Sequence, residues 1–121
     1  MKFSDYVQYD GLGLAQLVQK KEIHPSELLN VALERAHQVN PKLNAIIIPM
    51  YEQAQQRSTQ ALTGAFAGVP FLVKDFFQEY QGVHTSQGGN ALKKIHYIPE
   101  CNAEIVNRWE KTGIVTFGRT N

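Results

Sequence analysis

The sequence predicts an α/β domain in which helices pack on a mixed, largely parallel sheet. Helix-like and strand-like patterns alternate along the chain, and its second half follows the order strand, loop, helix, strand. With 121 residues and no composition shift that would mark a linker, the chain is at most one domain. Within it, residues 1–64 are predicted to be mainly helical, and residues 65–121 hold the strand–loop–helix–strand part.

Two helices are predicted in the first forty residues. The first spans about residues 13–20, where apolar side chains recur at i, i+3 and i+4 and Asp10 can cap the start. The second begins at Pro25, because proline suits the first position of a helix. It is predicted to stop at Asn40, since the residue before a proline, here Pro41, is disfavoured in the α region.

Five further elements are predicted beyond residue 44. They are a strand at Ala45–Ile48, a helix at Met50–Leu62, a strand at Val69–Val73, a helix at Ala103–Lys111 capped by Asn102, and a strand at Ile114–Phe117. The Val69–Val73 run is apolar on both faces, as in strands that are covered on both sides, and Pro70 restricts it to a strand start or a sheet edge. Residues 76–100 form a long loop with a helical turn near 90–93.

The strands at Val69–Val73 and Ile114–Phe117, joined through a helix, are predicted to form a right-handed βαβ unit with parallel strands. So few strands leave the edges of the sheet open, and open edges pair readily with other chains. We therefore expect an incomplete sheet that belongs to a larger structure, and a homo-oligomer formed through these edges.

Composition excludes several classes of protein. Twelve Lys and Arg against eleven Asp and Glu give a net charge of +1, which argues against binding to nucleic acid or to an anionic membrane surface. The single cysteine, Cys101, rules out an internal disulfide and a four-cysteine zinc site. The apolar runs are too short to span a bilayer and no signal peptide is apparent, so a reducing cytoplasm is the expected location.

Lys74 is the main candidate for chemistry, because it ends the most apolar predicted strand. By alternation it shares a face with Leu72 and Phe76, while Asp75 shares the other face with Val73. Desolvation on a buried face lowers the pKa of a lysine, and a neutral amine is a general base. The alternative is structural: a lysine at a strand end can extend its amine to water or pair with a carboxylate.

Other motifs in the sequence do not indicate a functional site. Residues 113–120 nearly match a phosphate-binding P-loop, but a strand occupies the place of the flexible loop and no helix follows. The segment around Ser86 has His84 where a nucleophile elbow needs glycine, so Thr85 and Ser86 are interpreted as part of a polar surface loop. None of the four histidines has metal-ligand spacing. Cys101 has no histidine close in sequence, so packing or exposure is expected for it.

Several segments together resemble the N-terminal part of the amidase signature family. They are Gly68–Asp75, which reads G-V-P-F-L-V-K-D, then Gly82, Thr85-Ser86, the helix Ala103–Lys111, and Gly113–Asn121, which ends in G-R-T-N. The resemblance covers nearly the whole chain, including the opening helices. Within the family, the sequence most resembles bacterial amidases of the 6-aminohexanoate-cyclic-dimer-hydrolase type.

The resemblance implies hydrolysis of a small-molecule amide by a serine nucleophile, a second serine on a cis peptide bond, and a lysine base. The lysine of the K-D motif corresponds to Lys74, and the resemblance implies no metal or organic cofactor. An apolar wall for this lysine could come from Leu72, Phe76 and Phe77. In an incomplete chain, however, Lys74 is expected to be more exposed than in an intact enzyme.

The sequence departs from the family pattern in three respects. Gly118-Arg119 replaces the usual G-K, and Thr112 rather than alanine precedes Gly113. Neither catalytic serine is present, because the serines of this chain, Ser4, Ser26, Ser58 and Ser86, match none of the family's positions. The chain alone is therefore expected to be inactive. A non-catalytic self-associating fragment and part of an amidotransferase A-type subunit remain the alternatives.

Overall fold

A computed structural model describes residues 1–121, and in it six helices flank a three-stranded sheet. In chain order the elements are α1 (Phe3–Tyr6), α2 (Gly11–Gln19), α3 (Pro25–Leu43), β1 (Ile46–Pro49), α4 (Tyr51–Ser58), β2 (Pro70–Lys74), α5 (Asn90–Lys94), α6 (Glu104–Lys111) and β3 (Val115–Thr120). This is the predicted α/β class with a small mixed sheet. None of the six helices combines the length and the apolar character that crossing a bilayer requires.

The strand order is β1-β3-β2, which places the last strand in the middle of the sheet. β3 pairs with β2 in parallel, as the βαβ prediction requires, and with β1 in antiparallel. Five of its six residues, Val115 to Arg119, are buried, because both neighbours and both faces cover them. Pro70 opens the edge strand β2, where a residue without an N–H removes no ladder hydrogen bond.

Side-chain caps fix the starts of α2 and α3. The Asp10 carboxylate accepts a hydrogen bond from the Gly13 N–H at 2.7 Å, as the sequence predicted. At the start of α3 the His24 ring accepts from the Ser26 N–H, while the Glu27 carboxylate accepts from the His24 N–H at 3.0 Å. This reciprocal arrangement satisfies N–H groups that have no partner within the helix.

The predicted end of α3 at Asn40 is wrong, because the helix continues through Pro41 to Leu43. It ends at Asn44, which adopts a left-handed conformation and donates its N–H to the Asn40 carbonyl at 2.7 Å. The Asn40 amide also forms two hydrogen bonds with the backbone of Ile46, at 2.8 and 2.9 Å. These short-range bonds tie the last turn of the helix to β1, and the helix continues despite the local preference against a helical residue before proline.

Two other details were not predicted correctly. The short helix α1 has no apolar periodicity of its own, and it lies against α3, where the Arg35 guanidinium sits 5.0 Å from the centre of the Phe3 ring. Asn102 does not cap α6. Its amide oxygen accepts the Gln81 N–H at 2.7 Å, so it joins the loop to the helix instead, and Ala103 precedes the helix without a side-chain cap.

Three buried apolar clusters hold these elements together. One lies between α3, α4 and the sheet and consists of Leu29, Leu33, Ala36, Ile46, Ala54, Val115 and Phe117. A second joins α2, α3 and the segment before β2 through Leu14, Ala15, Ile23, Leu28 and Val69. The third packs α6 on the other side of the sheet with Met50, Val73, Tyr80, Val83 and Val106. Each fully buried leucine contributes about 1.5–3 kcal/mol of hydrophobic stabilisation.

Gly113 controls the connection from α6 to β3, as its predicted place after the helix implies. It has φ +85°, and an added Cβ would lie 2.5 Å from the Thr63 carbonyl oxygen and 2.7 Å from Ala67 Cα. Its own carbonyl accepts the Gly68 N–H at 2.9 Å. The glycine therefore allows the turn after α6 to approach the loop before β2 closely.

We expect Gly113→Ala to lower the free energy of unfolding by more than about 2 kcal/mol, since it adds a backbone clash to the strain of a positive φ. Gly82→Ala is the matched control. Gly82 also has a positive φ, +74°, but open space surrounds its Cβ position, so only about 1–2 kcal/mol should be lost. Urea unfolding of both variants measures the difference, and equal losses would show that the close approach at Gly113 is unimportant.

Candidate active site

The carboxyl ends of the two parallel strands meet at one edge of the sheet. Lys74 ends β2 and is paired with Thr120, the last residue of β3. A small cleft of about 70 Å³ opens there, lined by Ile47, Lys74, Asp75, Phe76, Gln87, Gly88 and Asn121. In sheets built from βαβ units, ligands bind beyond the carboxyl ends of the strands. The cleft that contains Lys74 is therefore the candidate active site.

Lys74 is held through its backbone, while its side chain is exposed. Its N–H donates to the Gln78 side-chain oxygen at 2.8 Å, and the next N–H, of Asp75, donates to the Thr120 carbonyl at 2.8 Å. The prediction that Lys74 lies on a buried face is thus wrong for this chain. That Lys74 is more exposed here than in an intact enzyme stays a prediction.

The expected apolar wall around Lys74 is only partly formed. Leu72 is half-buried and packs on the cluster beneath α3, whereas Phe76 and Phe77 are 45% and 64% exposed. The two phenyl rings contact each other, with centroids 4.2 Å apart, and Phe76 lines the cleft. Phe77 has φ +55°, a strained conformation for a bulky residue. In this chain these rings leave the lysine open to solvent.

Asp75, directly beside Lys74, is only 4% exposed and is the centre of a hydrogen-bond network. Its Oδ1 accepts from the Thr85 hydroxyl at 2.5 Å and from Arg119 Nε at 2.9 Å. Its Oδ2 accepts from both the Ser86 N–H at 3.0 Å and the Ser86 hydroxyl at 2.6 Å. A buried carboxylate needs this number of donors, because burial removes the water that would otherwise solvate it.

Arg119 is completely buried in β3 and forms an ion pair with Asp75. Besides Nε, its Nη1 donates to the Gln78 carbonyl at 2.8 Å and its Nη2 donates to the Thr85 hydroxyl at 3.1 Å. One guanidinium therefore joins β3, the end of β2 and the loop that follows β2. A planar group with donors in three directions suits this place.

The pKa of the Asp75 carboxyl lies below its ordinary value. Burial acts to raise this pKa, but the hydrogen bonds from Ser86 and Thr85 and the positive charge of Arg119 lower it by more. The carboxylate is therefore ionised at neutral pH and contributes its negative charge to the pair with Arg119.

Sequence reasoning selected Lys74 but missed the network beside it. Alternation along the strand placed Asp75 on the same apolar face as Val73. A charge on a buried face needs a partner, so this placement was a usable signal for an ion pair. The partner could not be identified, since Arg119 is 44 residues away and was noted only as a departure from the usual lysine. Thr85 and Ser86 were interpreted as part of a polar surface loop, whereas Thr85 is fully buried.

The other sequence candidates do not join the site. Residues 115–120 form β3, which agrees with the rejection of a P-loop. Cys101 is exposed, and His24 is a helix cap. The rings of His84 and His96 lie 5.2 Å apart, yet no three His, Cys, Asp or Glu side chains are grouped so that they could hold a metal ion.

Comparison with known proteins identifies the family. Residues 27–121 match the family model described as Amidase, and this range includes both strands of the cleft. The chain therefore belongs to the amidase family, and the resemblance inferred from the sequence motifs is confirmed.

Individual relatives agree with this assignment. The 6-aminohexanoate-cyclic-dimer hydrolase of Paenarthrobacter ureafaciens is 38% identical over 112 residues, which are 93% of this chain and 22% of the relative. A glutamyl-tRNA(Gln) amidotransferase subunit of Thermoanaerobacter pseudethanolicus is 30% identical over 115 residues, 89% of this chain and 23% of the relative. A solved structure of 6-aminohexanoate cyclic dimer hydrolase superposes with a TM-score of 0.87 at 36% identity, covering 93% of this chain and 23% of that one. The chain thus spans less than a quarter of the length of these relatives.

We expect Asp75→Asn to weaken the acid sensitivity of the fold. A carboxyl whose pKa is lowered by folding stabilises the protein fully above its unfolded pKa of about 4, and this stabilisation is lost as pH falls through the lower folded pKa. Wild-type stability should therefore fall below about pH 4. The variant should lack this part of the decline and be less stable at neutral pH by about 3–5 kcal/mol, because Arg119 loses its counter-charge.

Urea unfolding between about pH 2.5 and pH 7 measures this effect. Asp5→Asn, at an exposed carboxyl group in α1, is the control and should keep the wild-type decline. If wild type and Asp75→Asn lose stability in parallel on acidification, the Asp75 carboxylate is not the group that titrates.

Proposed function

We propose that residues 1–121 are the N-terminal portion of an amide-bond hydrolase and that Lys74 is its general base. The observation that carries this proposal is the position of Lys74. It ends β2 at the carboxyl edge of the parallel pair, in the K-D motif of a chain that belongs to the amidase family, with its amine free of any salt bridge. A base must be accessible to the group whose proton it takes, and the open cleft provides this access.

The reaction implied by the family resemblance is hydrolysis through an acyl-enzyme. The neutral Lys74 amine accepts a proton from a relay serine, and the relay serine accepts one from the nucleophilic serine, whose oxygen attacks the amide carbon. The proton then passes to the leaving nitrogen as the carbon–nitrogen bond breaks, and water subsequently releases the acid. The groups involved are an amine and two hydroxyls, so no metal or organic cofactor has a part in this scheme.

The two serines of this scheme are not among the residues of the chain. Ser86 is the nearest serine to Lys74 in sequence, but its hydroxyl donates to the Asp75 carboxylate, and it matches neither family position. We therefore propose that the 121 residues contribute the base and one wall of the site, and that the remaining groups belong to other parts of the complete protein.

The substrate in this proposal is a small-molecule amide. One solved relative is 6-aminohexanoate cyclic dimer hydrolase complexed with substrate, and its structure covers 93% of this chain at 36% identity. The relatives also include amidotransferase subunits at 29–35% identity, against 37–38% for the cyclic-dimer hydrolases, and their names place them in a larger assembly. The higher identity of the cyclic-dimer hydrolases favours a free-standing amidase over an amidotransferase component.

We expect Lys74→Ala in the complete protein to abolish nearly all amide hydrolysis while leaving the fold intact, because the substituted side chain is exposed and forms no salt bridge. Lys93→Ala is the matched control, since Lys93 is an exposed lysine in α5 outside the cleft. Turnover of a simple amide and thermal unfolding measure the two effects. Hydrolysis that survives Lys74→Ala at the wild-type rate would exclude Lys74 as the base.

A second candidate function for the chain by itself is non-catalytic self-association. The order β1-β3-β2 leaves one side of β1 and one side of β2 without a neighbouring strand, and unpaired strand edges form intermolecular sheets. Under this hypothesis the 121-residue chain binds a second copy of itself and hydrolyses no amide.

Light scattering on the purified 121-residue chain tests this second candidate. We expect a dimer or larger species, and Leu72→Pro in β2 should reduce its fraction if that edge pairs, because proline removes an N–H and disturbs edge pairing. Ile48→Pro in β1 is the corresponding variant for the other edge. A uniform monomer at all concentrations would contradict self-association.

A further inference from the structure

A buried ion pair, Arg119 with Asp75, lies directly next to the proposed base. A contribution to the stability of the fold does not by itself explain why this pair is buried there. Burying Arg119 and Asp75 costs desolvation of both charges, and well-packed apolar side chains often serve a core equally well or better. The pair is nevertheless fully enclosed, and every segment that it joins borders the Lys74 cleft. The pair is therefore placed to hold the residues around the cleft in position.

The network fixes the backbone on both sides of Lys74. On one side, the Lys74 N–H donates to the side chain of Gln78, whose own carbonyl accepts from Arg119 Nη1. On the other side, Asp75 is bound through its N–H to Thr120 and through its carboxylate to Arg119. Arg119 thus contacts both anchors of the lysine while the lysine side chain stays free.

The same network fixes the opposite wall of the cleft. Asp75 Oδ2 accepts both the N–H and the hydroxyl of Ser86, and the two residues that follow, Gln87 and Gly88, line the cleft with Lys74. The Gly88 N–H is 3.3 Å from the Ser86 hydroxyl oxygen. Consequently, a shift of the Asp75 carboxylate would move the lysine and the facing loop relative to each other.

We propose that Arg119 and Asp75 are positioning residues that hold the Lys74 amine in register with the 85–88 loop. This inference rests on the proposed function of Lys74. It assigns a reason to the arginine at position 119, because the guanidinium reaches the Asp75 carboxylate, the Gln78 carbonyl and the Thr85 hydroxyl at once.

Arg119→Met in the complete amide hydrolase tests the proposal, because it removes the charge and all three hydrogen bonds of the guanidinium. We expect kcat to fall about 100-fold with KM within about twofold, since a displacement of about 1 Å at a reacting group has an effect of this size. Arg108→Met, at an exposed arginine in α6, is the matched control and should leave both constants unchanged. A wild-type kcat in Arg119→Met would overturn the proposal.

The Lys74→Ala background separates positioning from general stabilisation. If Arg119 acts through Lys74, Arg119→Met should change the residual rate of Lys74→Ala less than about twofold, because the group that it positions is gone. An equal loss in both backgrounds would mean that Arg119 supports only the fold, and would overturn the positioning role alone. Full activity of Lys74→Ala by itself would instead overturn the role of Lys74, and this proposal with it.

Thr85→Val provides a variant that keeps both charges. It removes only the hydroxyl shared by Arg119 and Asp75, in a side chain of nearly the same shape, so the fold should persist. We expect a loss of kcat of about tenfold, the size associated with the loss of these two hydrogen bonds. An unchanged kcat would count against the network as the positioning device.

The 121-residue chain permits a direct structural readout. In Arg119→Met, the Ser86 amide should exchange its hydrogen at least about tenfold faster, because Asp75 no longer holds that N–H firmly. The Val115 amide, which donates to the Val69 carbonyl within the sheet, is the internal reference and should exchange as in the wild type. Equal acceleration of both amides would indicate general destabilisation and overturn the proposal.

Discussion

The buried pair of Arg119 and Asp75 is the interaction on which the arrangement of the site depends. The carboxylate is satisfied by four donors and the guanidinium by three acceptors, so the cost of burying both charges is offset within one local network. The sheet makes this possible, because β3 is central and pairs in parallel with β2, which brings Arg119 to the end of that strand. The same pairing sets Lys74 opposite Thr120. The geometry of the cleft is therefore a consequence of one parallel strand pair.

In the proposed role of general base, Lys74 would be prepared in two stages. Its backbone is already fixed by Gln78 and by its neighbour Asp75, whereas its amine and the adjacent phenyl rings of Phe76 and Phe77 remain exposed. Desolvation of the amine, which general-base chemistry by a lysine needs, requires additional covering groups. The chain spans only 22–23% of the length of its relatives, which is consistent with further segments contributing to the finished site.

The sequence by itself determined the class of fold, the places of the main helices and strands, and the candidate base. Apolar periodicity, Asp10, Pro25 and the glycine after α6 are local signals, and each was sufficient because short-range geometry decides those features. The family motifs, which depend on spacing along the chain, also identified the amidase family. Lys74 was selected from two such cues, the apolar strand before it and the K-D motif.

Only the tertiary structure decided which residues surround Lys74. The hydrogen bond between the Gln81 N–H and Asn102 joins residues 21 positions apart, and the pairing of Asp75 with Arg119 spans 44 positions. Propensities describe a residue in its local segment, whereas a hydrogen bond across the sheet depends on strand order and register. For the same reason, the exposure of the Lys74 side chain depends on which groups lie near it in space. The alternation of side chains along β2 did not predict it.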